Sequence, residues 1–239
     1  MCVPISGTIV KIDPGIVEDV RLRLDSIHDL EVKEERQVEG AQGIQKFDLL
    51  TTVDDIEQDE LGTVVKASVD DLISSRFRGG VDWARITRSY RIRIFDEGFV
   101  LFDCSRRDLQ QFIYPFEQKI LGLKDAFRMC AISSDEFDRL INDPKTIEIR
   151  ASAFSDFKLS SVSTGSLYGF NLEKTKEFSD FKRRAVLRTL MVKMSTAHGL
   201  MTMLITQDCG FVLYSKVALG EEAKVFEELV KAIALPMID

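Results

Sequence analysis

Two distant segments of this chain share one turn. Asp96–Phe102 reads DEGFVLF and Asp208–Tyr214 reads DCGFVLY, alike at five of seven positions. Each turn follows an alternating apolar and polar run and leads into an amphipathic stretch. The longer segments are RIRIFDEGFVLFDCSRRDLQQFIYPFEQKIL, Arg91–Leu121, and MLITQDCGFVLYSKVALGEEAKVFEELVKAIAL, Met203–Leu235. A period of two giving way to spacings of three and four predicts strand, tight turn, strand, helix. Two such units predict a duplicated α+β domain. Its sheet is expected to be antiparallel with long helices on one face, because tight turns join antiparallel neighbours while parallel strands need long crossovers. On this basis residues 1–44 form an N-terminal extension or small layer, 45–123 a first repeat and 124–239 a second.

The remaining segments supply further elements. Thr8–Ile12 (TIVKI) predicts a strand closed by Asp13-Pro14-Gly15, and Val20–Leu24 (VRLRL) a second, half-buried strand. Glu31–Gly43 is polar and glycine-ended, an edge or linker, and Lys46–Val53 is strand-like. The acidic run Asp54–Leu61 reads as a solvated helix start, and Val64–Phe77 has the spacing of a helix stopped by Gly79-Gly80. Arg106–Gly122 and Ser134–Asn142 read as helices, the second ended by Asp143-Pro144. Ile147–Phe154 alternates as a strand, Leu172–Leu187 is a helix with a basic end, and two strands flank Ala197-His198-Gly199. Ser163–Gly169 (STGSLYG) shares only composition with a phosphate loop, lacking the glycine-lysine-Ser/Thr ending.

Charge is unevenly spread over a net of −7. Residues 1–70 hold 16 acidic and 7 basic side chains, whereas residues 71–130 hold 8 acidic and 11 basic. Arg76, Arg78, Arg85, Arg88, Arg91 and Arg93 fall within 18 residues. Such a basic middle either steers an anionic partner or solvates a face. The four cysteines are scattered without a CxxC pair and there are two histidines, so neither a metal site nor any other cofactor is expected. No apolar run approaches the 18 or so residues of a membrane span, and no secretory signal is visible, which implies a cytoplasmic protein without a membrane partner.

The order strand, helix, meander, long helix, given twice, resembles the two-repeat saddle of the TATA-box-binding protein family. Lys46–Asp55 (KFDLLTTVDD) is similar to that family's opening strand, Phe77–Arg85 (FRGGVDWAR) to its Phe-x-Gly-Leu segment, and Arg93–Cys104 (RIFDEGFVLFDC) to its hairpin. The resemblance spans about residues 45–235. It implies a sheet that opens a DNA minor groove with paired phenylalanine wedges. Phe77 and Phe95 would be the first pair, while Leu190 and Gln207 stand at the second. Where the family reads the groove with asparagine, this chain has Asp48 and Glu148, and Phe99 and Phe211 replace a phosphate-binding lysine. Acidic groups there would face a duplex with one negative charge per about 1.7 Å of axis.

A non-enzymatic binding protein is therefore the expectation, transcription-related or nucleic-acid-associated. One branch contacts nucleic acid through Phe77, Arg78, Arg85, Arg88, Arg91, Arg93 and Phe95 in the first repeat and Arg183, Arg184 and Arg188 in the second. The other branch is a protein-interaction scaffold without nucleic-acid binding. A thiol-dependent enzyme is the alternative of a different class. Cys104, followed by Arg106 and Arg107, and Cys209, between Asp208 and Gly210, are its best-placed nucleophiles, and neither has a visible histidine partner.

Overall fold

The computed structural model describes residues 5–96, 98–159, 162–215 and 224–228. In chain order the strands and helices are β1 (Ile5–Ile12), α1 (Val17–Ser26), β2 (Glu31–Gly40), β3 (Gly43–Asp59), β4 (Gly62–Phe77), β5 (Gly80–Phe95), β6 (Phe99–Phe102) and α2 (Arg106–Pro115). They continue with β7 (Phe127–Met129), α3 (Ser134–Asn142), β8 (Thr146–Leu159), β9 (Val162–Tyr168), α4 (Lys176–Arg184), β10 (Val186–Thr196), β11 (Gly199–Thr206) and β12 (Gly210–Leu213). Residues 224–228 are helical. The class is α+β with antiparallel strand pairing. Two units divide the chain: one is Ile12–Phe127, the other joins the residues up to Lys11 to those from Arg128 onward.

In the Ile12–Phe127 unit, β2 to β6 pair in chain order as an antiparallel meander. β4 and β5 pair along their whole length, from Gly62↔Phe95 to Phe77↔Gly80. At the start of β4 only glycine fits. Gly62 has φ +128°, and a Cβ there would lie 2.1 Å from the Ile94 carbonyl oxygen. α2 is capped by Ser105, whose hydroxyl accepts from the Asp108 N–H at 3.3 Å. Pro115 ends it, since proline has no N–H for the Gln111 carbonyl. The chain then widens into a π turn, Phe116–Leu121, and closes on left-handed Gly122. Phe102, Phe112, Phe116 and Phe127 meet edge-to-face, tilted or stacked, 5.5 to 6.1 Å apart, in the buried core.

The second unit orders its strands β1-β12-β11-β10-β8-β9. α3 carries a complete capping box between Ser133 and Glu136, and α4 is capped by Thr175. Leu190, Val192, Met194, Met203 and Ile205 fill the sheet's buried face. A second aromatic cluster joins Phe154, Phe157, Phe178 and Phe181.

Several expected elements differ. Val64–Phe77 is strand β4 rather than a helix: β-branched Val64, Val65, Val69 and Ile73 suit a pleated surface, and pairing with both neighbours outweighs the helical spacing. Val20–Leu24 is part of helix α1, not a strand. A strand would put Val20, Leu22 and Leu24 on one face, but only Val20 and Leu24, four apart, are buried, and Leu22 is 67% exposed. Of the edge or linker expected at Glu31–Gly43, the edge is observed: Glu31–Gly40 is a regular outermost strand. The acidic run from Asp54 lies in β3, where Asp55 and Glu57 each hold Lys66 of β4 at 2.7 Å, so it starts no helix. Ser163–Gly169 falls largely in β9, with no helix following directly, as a phosphate loop would need. The expected final helix is described only at 224–228; the rest of that segment lies outside the described residues.

Candidate functional site

The β4–β5 hairpin extends as an arm. Its ladder with β3 ends at Thr51↔Val69, whereas pairing between β4 and β5 continues to Phe77↔Gly80. The end of the β2–β3 hairpin braces the arm. Ala41 N–H donates to the Val81 carbonyl at 2.8 Å, Trp83 Nε1 to the Glu39 carbonyl at 2.9 Å and Arg85 Nη1 to the Asp48 carbonyl at 3.2 Å. Gly80 allows this approach, since a Cβ there would lie 2.8 Å from the Ala41 side chain.

At the tip, Arg76-Phe77-Arg78-Gly79-Gly80 faces solvent. Phe77 is 54% and Ile73 45% exposed. Among the described residues neither Arg76 nor Arg78 has a carboxylate within ion-pairing distance. Gly79 lies under the Phe77 ring, 2.9 Å from where a Cβ would sit, so the turn has no side chain between ring and backbone.

The other arginines of the run are largely neutralised. Arg85 reaches Asp70 at 3.7 Å, and Arg88 reaches Asp108 at 3.4 Å and Asp71 at 3.9 Å. Arg93 is 5% exposed and donates to Asp59 at 2.7 Å, holding that carboxyl below its ordinary range. The RIRI stretch therefore has no wholly basic face: Arg91 is exposed, but Arg93 is buried with Ile92 and Ile94. Phe95 is likewise in the core at 3%, leaving no ring face for a base. In the other unit Arg183 pairs with Asp180 at 2.8 Å, and Arg188 binds Asp156, Gln207 and Ser155. Arg184 is exposed without an ion pair among the described residues. Leu190 is fully buried. Asp48 is exposed, while Glu148 pairs with Arg150 at 3.1 Å.

Where β3 and β4 part, a cavity of about 400 Å³ opens under α2, which the sequence reading missed. Leu49, Val69, Tyr90, Phe112 and Pro115 form its apolar wall, and Glu34, Arg36, Asp70, Asp71, Arg88 and Lys119 its charged one. Those charges balance. Lys119 pairs with Glu34, and Asp70 accepts from Leu50 N–H at 3.0 Å and Thr87 Oγ1 at 2.7 Å. Tyr90 stacks on Phe112 with centroids 4.0 Å apart, and burial pushes its phenol up to about 12. Arg88 Nε is buried without a hydrogen-bond partner. The signal that could have found this cavity is the two-residue turn Arg78-Gly79, because folding the sequence there places the Asp70-Asp71 pair beside Arg85 and Arg88.

Among the described residues the thiols, Cys104, Cys130 and Cys209, are buried. Burial foremost pushes Cys104 up to about 12, so at neutral pH it is a protonated, weakly nucleophilic thiol. Among the described residues no His, Cys, Asp and Glu side chains are grouped to hold a metal ion, and no helix is long and apolar enough to cross a membrane. No protein-family model matches the chain, and no curated protein is similar to it at a significant level.

Proposed function

We propose that the chain is a non-catalytic cytoplasmic binding protein that holds single-stranded nucleic acid at the tip of the β4–β5 arm. The observation that carries this reading is Phe77, exposed on a braced hairpin between Arg76 and Arg78, which have no ion pair among the described residues. An exposed ring takes an unstacked base on its face, and flanking guanidiniums take the adjacent phosphates. Single strands are favoured over duplex because the aromatic stands alone, with Phe95 buried, and exposed Asp48 occupies the place of a groove-reading amide.

The succession strand, helix, strands, helix occurs as β1, α1, β2–β6, α2 and again as β7, α3, β8–β12 and residues 224–228, with α4 inserted after β9. That order supports a duplicated module of the saddle type, in which the binding chemistry has moved from the sheet face to one arm. A protein partner is the second reading, favoured by the apolar pair Ile73 and Phe77.

Fluorescence anisotropy against single-stranded DNA, single-stranded RNA and duplex, over a salt series, separates them. Phe77→Ala is expected to weaken single-strand binding about 5- to 150-fold, the equivalent of ~1–3 kcal/mol of stacking. Arg76→Ala/Arg78→Ala is expected to flatten the log–log salt slope by about 1.4, at ~0.7 per phosphate contact. Arg183→Ala is the control and should change neither. Absence of binding at low salt would end the nucleic-acid reading and leave the tip as a protein contact.

A further inference from the structure

Among the described residues β9 is the outermost strand of its unit, bonded only to β8, and its sequence VSTGSLY carries no charge. Natural edge strands are commonly guarded by charges, proline or a cover. The outermost strand of the other unit, β2, shows such a guard in Glu31, Lys33, Glu34, Glu35, Arg36 and Glu39. β9 has none.

The phase of its ladder is fixed by Gly169 N–H donating to the Arg150 carbonyl at 3.0 Å, next to the Ala151↔Tyr168 pair. Antiparallel residues alternate between turning their backbone groups to the neighbour and turning them away. Gly165 and Leu167 therefore face β8, while Thr164, Ser166 and Tyr168 present N–H and C=O outward; Val162, paired with Leu159, bonds β8. One face of the strand is covered, for a Cβ at Gly165 would meet Phe181 of α4 at 3.0 Å and Phe157 at 3.1 Å. The open face carries Val162, 42% exposed, Thr164, Ser166 and Tyr168, 80% exposed.

We propose that β9 is a homodimer interface, joining two copies edge to edge and antiparallel about a two-fold axis at Gly165. This register sets Val162 opposite Tyr168 of the partner subunit and Thr164 opposite Ser166 of the partner subunit. The first is a β-branched–aromatic pair and the second a hydroxyl pair, both of the kinds that stabilise neighbouring strands. Thr164 and Ser166, which flank the axis, carry outward backbone groups that meet in this register, and Gly165, whose groups face β8, lies at the axis where none are needed. Centring on Thr164 or Ser166 also matches backbone phase. Only the Gly165 centre overlaps the whole strand and sets apolar against apolar within it. The absence of charge lets two identical edges meet without repulsion.

Sedimentation equilibrium of the full chain tests this directly. The wild type is expected to be dimeric, and Ser166→Lys, which brings like charges together across the axis, monomeric with unchanged circular dichroism. Thr164→Pro removes one outward N–H without touching the β8 ladder and should give the same result. Mild oxidation of Thr164→Cys/Ser166→Cys should yield a chain-to-chain disulfide, and the offset Thr164→Cys/Tyr168→Cys should not. A monomeric wild type, or a dimer indifferent to Ser166→Lys and Thr164→Pro, overturns the interface. Equal cross-linking in the offset variant overturns the Gly165 register.

Discussion

Glu117 sits at 8% exposure in the aromatic core of the Ile12–Phe127 unit, its Oε1 accepting from Phe127 N–H at 2.7 Å. Burial raises its pKa, and the Phe127 N–H only partly offsets this. A carboxyl whose folded value exceeds its unfolded one favours folding while protonated, and this contribution fades as pH rises through the raised value. Glu117→Gln keeps an acceptor for Phe127 and removes the charge. It is expected to raise the urea midpoint at neutral pH, with the gain shrinking toward zero as pH falls through the raised Glu117 value. Glu117→Ala leaves a buried N–H unsatisfied, at about 1–3 kcal/mol, and carries the same pH-dependent gain, so its deficit against wild type should be largest at low pH and shrink as pH rises. Urea titrations at three pH values distinguish the two. None of this was legible in the sequence, where Glu117 is one polar position on an amphipathic helix; its burial follows from the π turn after Pro115.

At the scale of elements, the β4–β5 hairpin shows how a sound periodicity argument fails. The apolar residues of β4 recur at helical intervals, but its polar residues are used across strands. Asp70 binds Leu50 of β3 and Thr87 of β5, and Lys66 binds Asp55 and Glu57. A helix could not satisfy these groups from two neighbours at once. Turn glycines set the hairpins, and their demands differ. Gly62→Ala meets both a positive φ and a backbone oxygen, whereas Gly43, at φ +108°, has open space around it. Gly43→Ala is expected to cost roughly 1–2 kcal/mol of backbone strain. Gly62→Ala should cost more than that, read as a lower thermal midpoint or loss of soluble protein. Equal midpoints for the two variants would show that the Ile94 contact does not restrict this turn.

Over the whole molecule, the excess of acidic residues is partly spent in holding basic ones. Lys119 keeps Glu34 below its ordinary value, Arg93 does the same for Asp59, and Ser155 followed by Arg188 for Asp156. Each of these carboxylates adds stability above its unfolded value, 4.5 for Glu34 and 3.8 for the two aspartates, and loses it as pH falls through its lower folded value. The urea midpoint is therefore expected to decline below about pH 4.5, where the unfolded Glu begins to take up protons ahead of the folded one. Arg93→Met together with Asp59→Leu should flatten part of that decline. These groups are partly solvated, so added salt should weaken the effect.

By itself the sequence determined most strands, helix α3 at its bounds, helices α2 and α4 inside longer expected ones, and the β5–β6, β10–β11 and β11–β12 turns. Local alternation, caps and glycine turns act within a few residues and need no distant partner. Only the tertiary structure decided that Val64–Phe77 is a strand, that Arg85, Arg88 and Arg93 are paired while Arg76 and Arg78 are not among the described residues, and that Phe95 is core while Phe77 is surface. Whether a charge is free depends on what lies across the sheet from it. That is set by register between segments far apart in the chain, which no window of the sequence contains.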